Sequence, residues 1–271
     1  MEEIILRFPH LAEDIFQNLN NEGLVKCREG GRVWQKFIDE RNYPWIRMVN
    51  IPTVLQNGMT YLHLAVRTGQ IDMVDKIMKN SVEFGINLNA KDYVPGFTAF
   101  HDACQLGKMM ITDIFIKNYL DLNIELNSKC RFGRTAFHTA CMYGEREIAE
   151  YLMKNSKNIK MELNSKDISR LTPFHFACRF NHAHIVEMMI SHSDIYNFDY
   201  SAKANHKRTG FHTACNLGHK EVVEIILHNS KSFDFDLTSQ DCDGKTGFQL
   251  AEKCGHSNII SLIKAERPDI T

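Results

Sequence analysis

Four times the chain sets a histidine three residues before a cysteine: FHDAC at 100–104, FHTAC at 137–141, FHFAC at 174–178 and FHTAC again at 211–215. An imidazole and a thiol at that spacing share one helix face and could hold zinc or act as a nucleophile and its base. Zinc needs four ligands of fixed chemistry, and a catalytic thiol needs an exposed, electropositive setting. Here the histidine column reads Gln249 in a further copy, and the cysteine column holds Val66 and Glu252. Thr246-Gly247-Phe248-Gln249 has the form of a capping box, in which the third residue after the cap reaches back to the cap's backbone N–H. A slot that takes Gln or His wants a hydrogen-bonding side chain, and one that takes Cys or Val wants a small apolar one. Equivalent helices of neighbouring copies stand about 8–10 Å apart, beyond the roughly 4.4–6.8 Å Cα reach of a disulfide. Cys27, Cys130, Cys242 and Cys254 add no Cys-x-x-Cys, and no phosphate loop, Gly-x-Ser-x-Gly or His-Glu-x-x-His motif occurs. The expectation is no enzyme, no metal and no cofactor.

The elements that position this column repeat. An equivalent threonine stands at Thr60, Thr98, Thr135, Thr172, Thr209 and Thr246, spaced by 38 and then 37 residues. Nine residues after each comes Gly69, Gly107, Gly144, Asn181, Gly218 or Gly255. Threonine is a good N-cap, Pro173 sits where the first helical position tolerates proline, and glycine or asparagine suits the left-handed turn that ends a helix. A second pattern follows at helical spacing, as in Ile148, Ala149, Leu152 and Met153, or Val222, Val223, Ile226 and Leu227. Each unit is then a helical hairpin too small to bury its own apolar face, and the copies must stack.

Thr-x-x-His-x-Ala with a glycine four residues beyond the alanine, followed by an amphipathic helix, resembles the ankyrin repeat. The resemblance spans Met59 to about Ala265 in six phased copies. It implies an all-α solenoid with repeats at 59–96, 97–133, 134–170, 171–207, 208–244 and 245–271. Phe mostly replaces the usual Leu before His, Cys replaces the second Ala, and each period is about four residues longer than the usual 33. The extra length falls between the second helix and the Leu-Asn stretches at Leu88, Leu126 and Leu163. The family places variable contact residues near the end of each first helix, just before each threonine, and at the inter-repeat tips. Those positions are Leu106, Tyr143, Arg179 and Phe180; Phe97, Arg134, Leu171 and Arg208; and Tyr93, Arg131, Phe132, Ile168 and His206. The series Leu106, Tyr143, Phe180 and Leu217 either meets a partner or packs under the neighbouring tips. Some ankyrin repeats undergo asparaginyl hydroxylation, for which Asn89, Asn127 and Asn164 would be the substrates.

Composition limits the partners. A 271-residue chain that is 44% hydrophobic and 24% charged can bury well-formed cores, and its net charge of -1 exerts no general pull on nucleic acid or acidic membranes. The start MEEIILRFPH lacks the plan of a secretory signal, and no run of about 18 apolar residues occurs. No Asn-x-Ser/Thr sequon is present either. The expectation is a cytoplasmic or nuclear protein in a reducing compartment, with protein partners.

The residues before the repeats differ in kind. Leu11, Ile15, Phe16 and Leu19 form one stripe of a helix that Pro9 can begin; Leu24 and Cys27 mark a second pattern; Val33, Trp34, Phe37 and Ile38 mark a third. Residues 1–45 resemble an F-box, the three-helix motif by which substrate receptors dock on the Skp-type adaptor of cullin-RING ubiquitin ligases. The resemblance implies an adaptor-facing surface of Pro9, Leu11, Ile15, Phe16, Leu19 and Leu24, with Trp34 anchoring the third helix. Gly30 and Gly31 stand where that family has bulkier residues. Two readings follow for 1–58: an adaptor-docking motif joined to the repeats through 46–58, or a cap for the open apolar end of the first repeat.

Overall fold

The computed structural model describes residues 58–82 and 85–270. Every regular element among them is a helix, apart from one isolated bridge between Lys91 and Thr98. The twelve α-helices are α1 (Tyr61–Arg67), α2 (Ile71–Lys79), α3 (Ala99–Gln105), α4 (Met109–Asn118), α5 (Ala136–Tyr143), α6 (Arg146–Ile159), α7 (Pro173–Arg179), α8 (Ala183–Ser191), α9 (Gly210–Leu217), α10 (Lys220–Asn229), α11 (Gly247–Cys254) and α12 (Ser257–Glu266). The expected three-helix segment at 1–45 and residues 46–57 lie outside the described residues.

Local chemistry sets where the odd-numbered helices start and stop. In α1, α5 and α9 the threonine hydroxyl accepts the backbone N–H of the histidine three residues on, and in α11 that of Gln249. Each ends at a residue with positive φ: Gly69 at 70°, Gly144 at 81°, Asn181 at 58°, Gly218 at 81° and Gly255 at 74°. That conformation is open to glycine and tolerated by asparagine, as the column required.

The chain forms two units. Among the described residues the first takes in 58–82, 85–102 and 113–125, the second 103–112 with 126–270. In the first unit, Leu62, Ala65 and Val66 of α1 and Val74, Ile77 and Met78 of α2 are buried, and Phe100 packs on Phe115 with ring centroids 5.4 Å apart. Arg67 closes a fork on Asp102, Nε to Oδ2 at 2.6 Å and Nη2 to Oδ1 at 3.0 Å, and also reaches Asp92 at 3.3 Å.

In the second unit, α5, α7, α9 and α11 pack on one another in order as one layer, and α6, α8, α10 and α12 form the other. Phe137, Ala140, Cys141, Ile148, Ala149, Leu152 and Met153 are all essentially inaccessible. Burying each large member of this set contributes about 1.5–3 kcal/mol. The longer period is partly absorbed by the helix itself: α6 runs 14 residues before Lys160 turns left-handed at φ 51°. In this repeat the extra length does not lie wholly in the connection, because Leu152, Ser156 and Ile159 continue the buried stripe, whereas α2, α4, α8 and α10 end after 9 or 10 residues.

Polar side chains join successive repeats at their edges. Asn127 donates to the Lys160 carbonyl at 2.8 Å and accepts from the Glu162 N–H at 3.0 Å. Asn164 does the same with Asn197 and Asp199, and in the first unit Asn89 with Asn123 and Glu125. Both ends of each carboxamide therefore carry an inter-repeat bond.

Candidate protein-interaction face

Three members of the histidine column, His63, His138 and His175, are held from both sides. Nδ1 of His63, His138, His175 and His212 accepts the backbone N–H of its own threonine at 3.1–3.3 Å. Nε2 then carries the proton and donates across the repeat boundary: His63 to the Phe97 carbonyl at 3.0 Å, His138 to Leu171 at 3.2 Å and His175 to Arg208 at 3.1 Å. With both nitrogens of His63, His138 and His175 engaged, none of the three has a lone pair left for a metal. Burial, partly opposed by these carbonyls, lowers the His138 pKa to about 3 and the His175 pKa to about 4. Cys104, Cys141, Cys178 and Cys215 are fully buried free thiols, and burial pushes their pKa values well up. This column can cap helices and register repeats; it presents no nucleophile to solvent.

The surface of the second unit carries what the repeats do not share. Leu106, Tyr143, Phe180 and Leu217 stand at the ends of the first helices of four repeats and are 40, 46, 42 and 44% exposed. Each sits just before the left-handed residue that stops its helix, so the side chain leaves the packed layer without entering the next hairpin. On the tips, Arg131, Phe132, Ile168 and His206 are exposed, as is Arg179 at the end of α7. Tyr93, on a tip of the first unit, is exposed too.

The residues just before each threonine behave differently. Phe97 is only 5% exposed and cannot offer its ring to a partner; this corrects the sequence expectation. Its ring stacks on His101 at 5.1 Å, and its carbonyl accepts from His63 Nε2. Arg134 and Arg208 are half-buried and turned toward the next hairpin tip, where Nε of each pairs with Asp167 at 3.5 Å and Asp241 at 3.1 Å. Leu171 is half-buried, with its carbonyl taken by His138.

Two features lay outside the sequence expectation. Phe176 is buried on α7, with the Arg134 guanidinium 4.7 Å above its ring and Phe180 stacked 6.4 Å away. Arg134 also lies 5.2 Å from the Phe132 ring, so one cation links a tip to the inner helix layer. The signal was available, since Phe176 fills a position that holds Thr139 and Thr213 in neighbouring repeats. A second histidine ladder, His182, His219 and His256, donates from Nε2 to the carbonyls of Met142, Arg179 and Asn216 at 2.9–3.1 Å. The recurrence of His ten residues after Thr172, Thr209 and Thr246 marks it. Glycine is required where two of these rings lie, because a Cβ on Gly144 or Gly218 would meet His182 or His256 at 2.8 Å.

Pro9, Leu11, Ile15, Phe16, Leu19, Leu24 and Trp34 all lie outside the described residues. No helix among the described residues is long and apolar enough to cross a membrane. Against family models, the chain matches ankyrin repeat at 57–93 and ankyrin repeats (3 copies) at 76–167, 113–204 and 159–241. A search of curated proteins finds no match to it. The hairpin of α11 and α12 lies beyond the last matched residue and still repeats the same cap, stop and second helix.

Proposed function

Because this chain belongs to the ankyrin-repeat family, whose stacked hairpins serve as protein-binding scaffolds, we propose that it is a non-enzymatic adaptor that holds a target protein on its second unit. The observation that carries the reading is the row Leu106, Tyr143, Phe180 and Leu217, large apolar side chains left partly open while the Phe, Ala and Cys columns of the same helices are sealed. Aromatic and arginine residues such as Tyr143, Phe180, Arg131 and Arg179 are the types that dominate binding energy when a partner covers them.

The finer reading concerns residues 1–45. Their F-box-like pattern supports a role as the substrate-recognition subunit of an SCF-type ubiquitin ligase, with Pro9, Leu11, Ile15, Phe16, Leu19, Leu24 and Trp34 docking the Skp-type adaptor. The protein would then act by proximity, raising the effective concentration of target near a charged ubiquitin carrier, with no side chain of its own in the chemistry. Co-purification of the full chain with a Skp-type adaptor tests this. Capture that is lost on Ile15→Asp with Phe16→Asp, in a protein that keeps its unfolding midpoint, is the expected result. Capture that never occurs, or that survives both substitutions, overturns the ligase reading and leaves a plain scaffold whose N-terminal helices cap the repeats.

A further inference from the structure

We propose that the three hairpin tips 129–134, 166–171 and 203–208 form a basic ridge that grips a short acidic segment of the target protein; this rests on the protein-binding reading above. The tips are joined into one surface by backbone hydrogen bonds. Ile168 N–H donates to the Phe132 carbonyl at 3.0 Å, and Asn205 N–H to the Ser169 carbonyl at 2.9 Å. A Cβ on Gly133 would come within 2.9 Å of the Ile168 nitrogen, so the first two tips sit as close as their backbones allow.

Charge along this ridge is one-sided. In a chain of net charge -1, these three tips hold eight Lys and Arg against a single acid, Asp167. That acid is buried and faces Arg134, and so offsets nothing at the surface. Six of the bases, Lys129, Arg131, Lys166, Arg170, Lys203 and Lys207, are exposed. Lys129 leans toward Glu162 at 4.0 Å and Lys203 toward Asp236 at 3.3 Å, while the other four make no ion pair among the described residues. The ridge stops at the following tip, where Gln240 and Asp243 stand at the surface.

Backbone conformation gives an independent pointer. Arg170 has φ 62° and Lys207 φ 57°, at the tip position that Gly133 fills at 74° and Gly244 at 72°. Glycine enters that region freely, whereas a side chain with a Cβ is disfavoured there. Two tips therefore carry a long cation where the backbone alone would favour glycine, and residues held in sparsely populated conformations concentrate at functional positions.

The same geometry defines the occupant. Repeats spaced about 10 Å apart put about 20 Å between the first and third tips, the length of about six residues of extended chain. The exposed Phe132 and Ile168 lie among the cations and add apolar contact. Glu162 and Asp236 reach Lys129 and Lys203 along the edge of the ridge, so the track for an anion is short and a long polyphosphate backbone would overrun it. A short peptide with alternating carboxylates and apolar side chains fits; a nucleic acid does not.

Fluorescence anisotropy with the full chain tests this, using as probe a labelled twelve-residue peptide of Asp and Glu interspersed with Phe and Leu. A Gln/Asn version of the peptide, a single-stranded DNA twelve-mer and phosphatidylserine vesicles form the comparison arms. The acidic peptide is expected to bind, to weaken as NaCl rises from 50 to 300 mM, and to lose about tenfold in affinity with Arg170→Gly and Lys207→Gly together. Those substitutions relieve the positive φ, so the unfolding midpoint is expected to hold or rise, and misfolding cannot account for the loss. The proposal is overturned by equal binding of the Gln/Asn peptide, by affinity unchanged in the double variant, or by tighter binding of DNA or vesicles. Adaptor capture, which depends on residues 1–45, is read in parallel: failed peptide binding with capture intact overturns the ridge alone, and the reverse overturns the ligase reading alone.

Discussion

Acidification acts directly on the histidines that register the repeats. In the folded second unit His138 titrates at about 3 and His175 at about 4, against 6.5 for the unconstrained side chain. Burial is the main cause for both, with Lys129 and Arg134 adding repulsion at His138 and Lys166 at His175. Because the folded pKa is depressed, the unfolded chain takes up protons that the folded one refuses. The stability these groups contribute is complete above pH 6.5 and is lost as pH falls toward 4. From pH 7 to 5 each group costs about 2 kcal/mol, or about 4 kcal/mol for the pair. His138→Gln with His175→Gln supplies the control, since Gln249 already caps α11 through the Thr246 N–H at 3.1 Å. At pH 7 the double variant is expected to be weaker by about 2 kcal/mol, from two lost bonds to the Leu171 and Arg208 carbonyls. Its urea unfolding free energy should fall with acid by about 4 kcal/mol less than that of the parent, so the two curves cross between pH 7 and 5. A parent whose stability is flat over this range, or a variant with the parent's slope, would refute the reasoning.

Two further predictions follow from packing. Gly210→Ala should destabilise the protein by about 1–3 kcal/mol in thermal or urea unfolding, although alanine is the better helix former, because overpacking outweighs propensity. A Cβ there would meet the Phe174 ring at 2.7 Å and the Cys178 sulfur at 2.9 Å, and Phe174 is backed by Tyr200 at 4.9 Å and cannot retreat; a stabilised variant would show that the ring yields. Among the described thiols, Cys242 and Cys254 are exposed while Cys104, Cys141, Cys178 and Cys215 are sealed. A thiol-reactive dye with peptide mapping should mark the first two in the native protein and the other four only on unfolding; a sealed thiol reacting as fast as Cys242 would contradict the packing.

Much of the hairpin architecture was legible because its signals are local. Thr135 and His138 lie three residues apart and satisfy each other within one turn, and Gly144 answers to a backbone angle of its own. The candidate face was legible less evenly. Tyr143, Phe180, Phe132 and Ile168 are open, but Phe97, also drawn from the family positions, is buried with its ring stacked on His101. The sequence pattern also assigned Arg134 and Arg208 to a partner, whereas the fold gives each an aspartate at the following hairpin tip. A position in a repeat identifies a place on the surface; the neighbour one repeat on decides whether the side chain is free to use it.

The sequence by itself determined the start and stop of each hairpin, the helix type and the sealed cysteine column, because capping, left-handed turns and apolar periodicity act within a few residues. Only the tertiary structure decided which cations are spent on Asp167 and Asp241, which glycines lie under His182 and His256, and that Arg170 and Lys207 hold positive φ on a ridge of joined tips. Those outcomes depend on partners 33 to 40 residues distant, Arg134 to Asp167 or His182 to Met142, and such distances close only when the repeats stack.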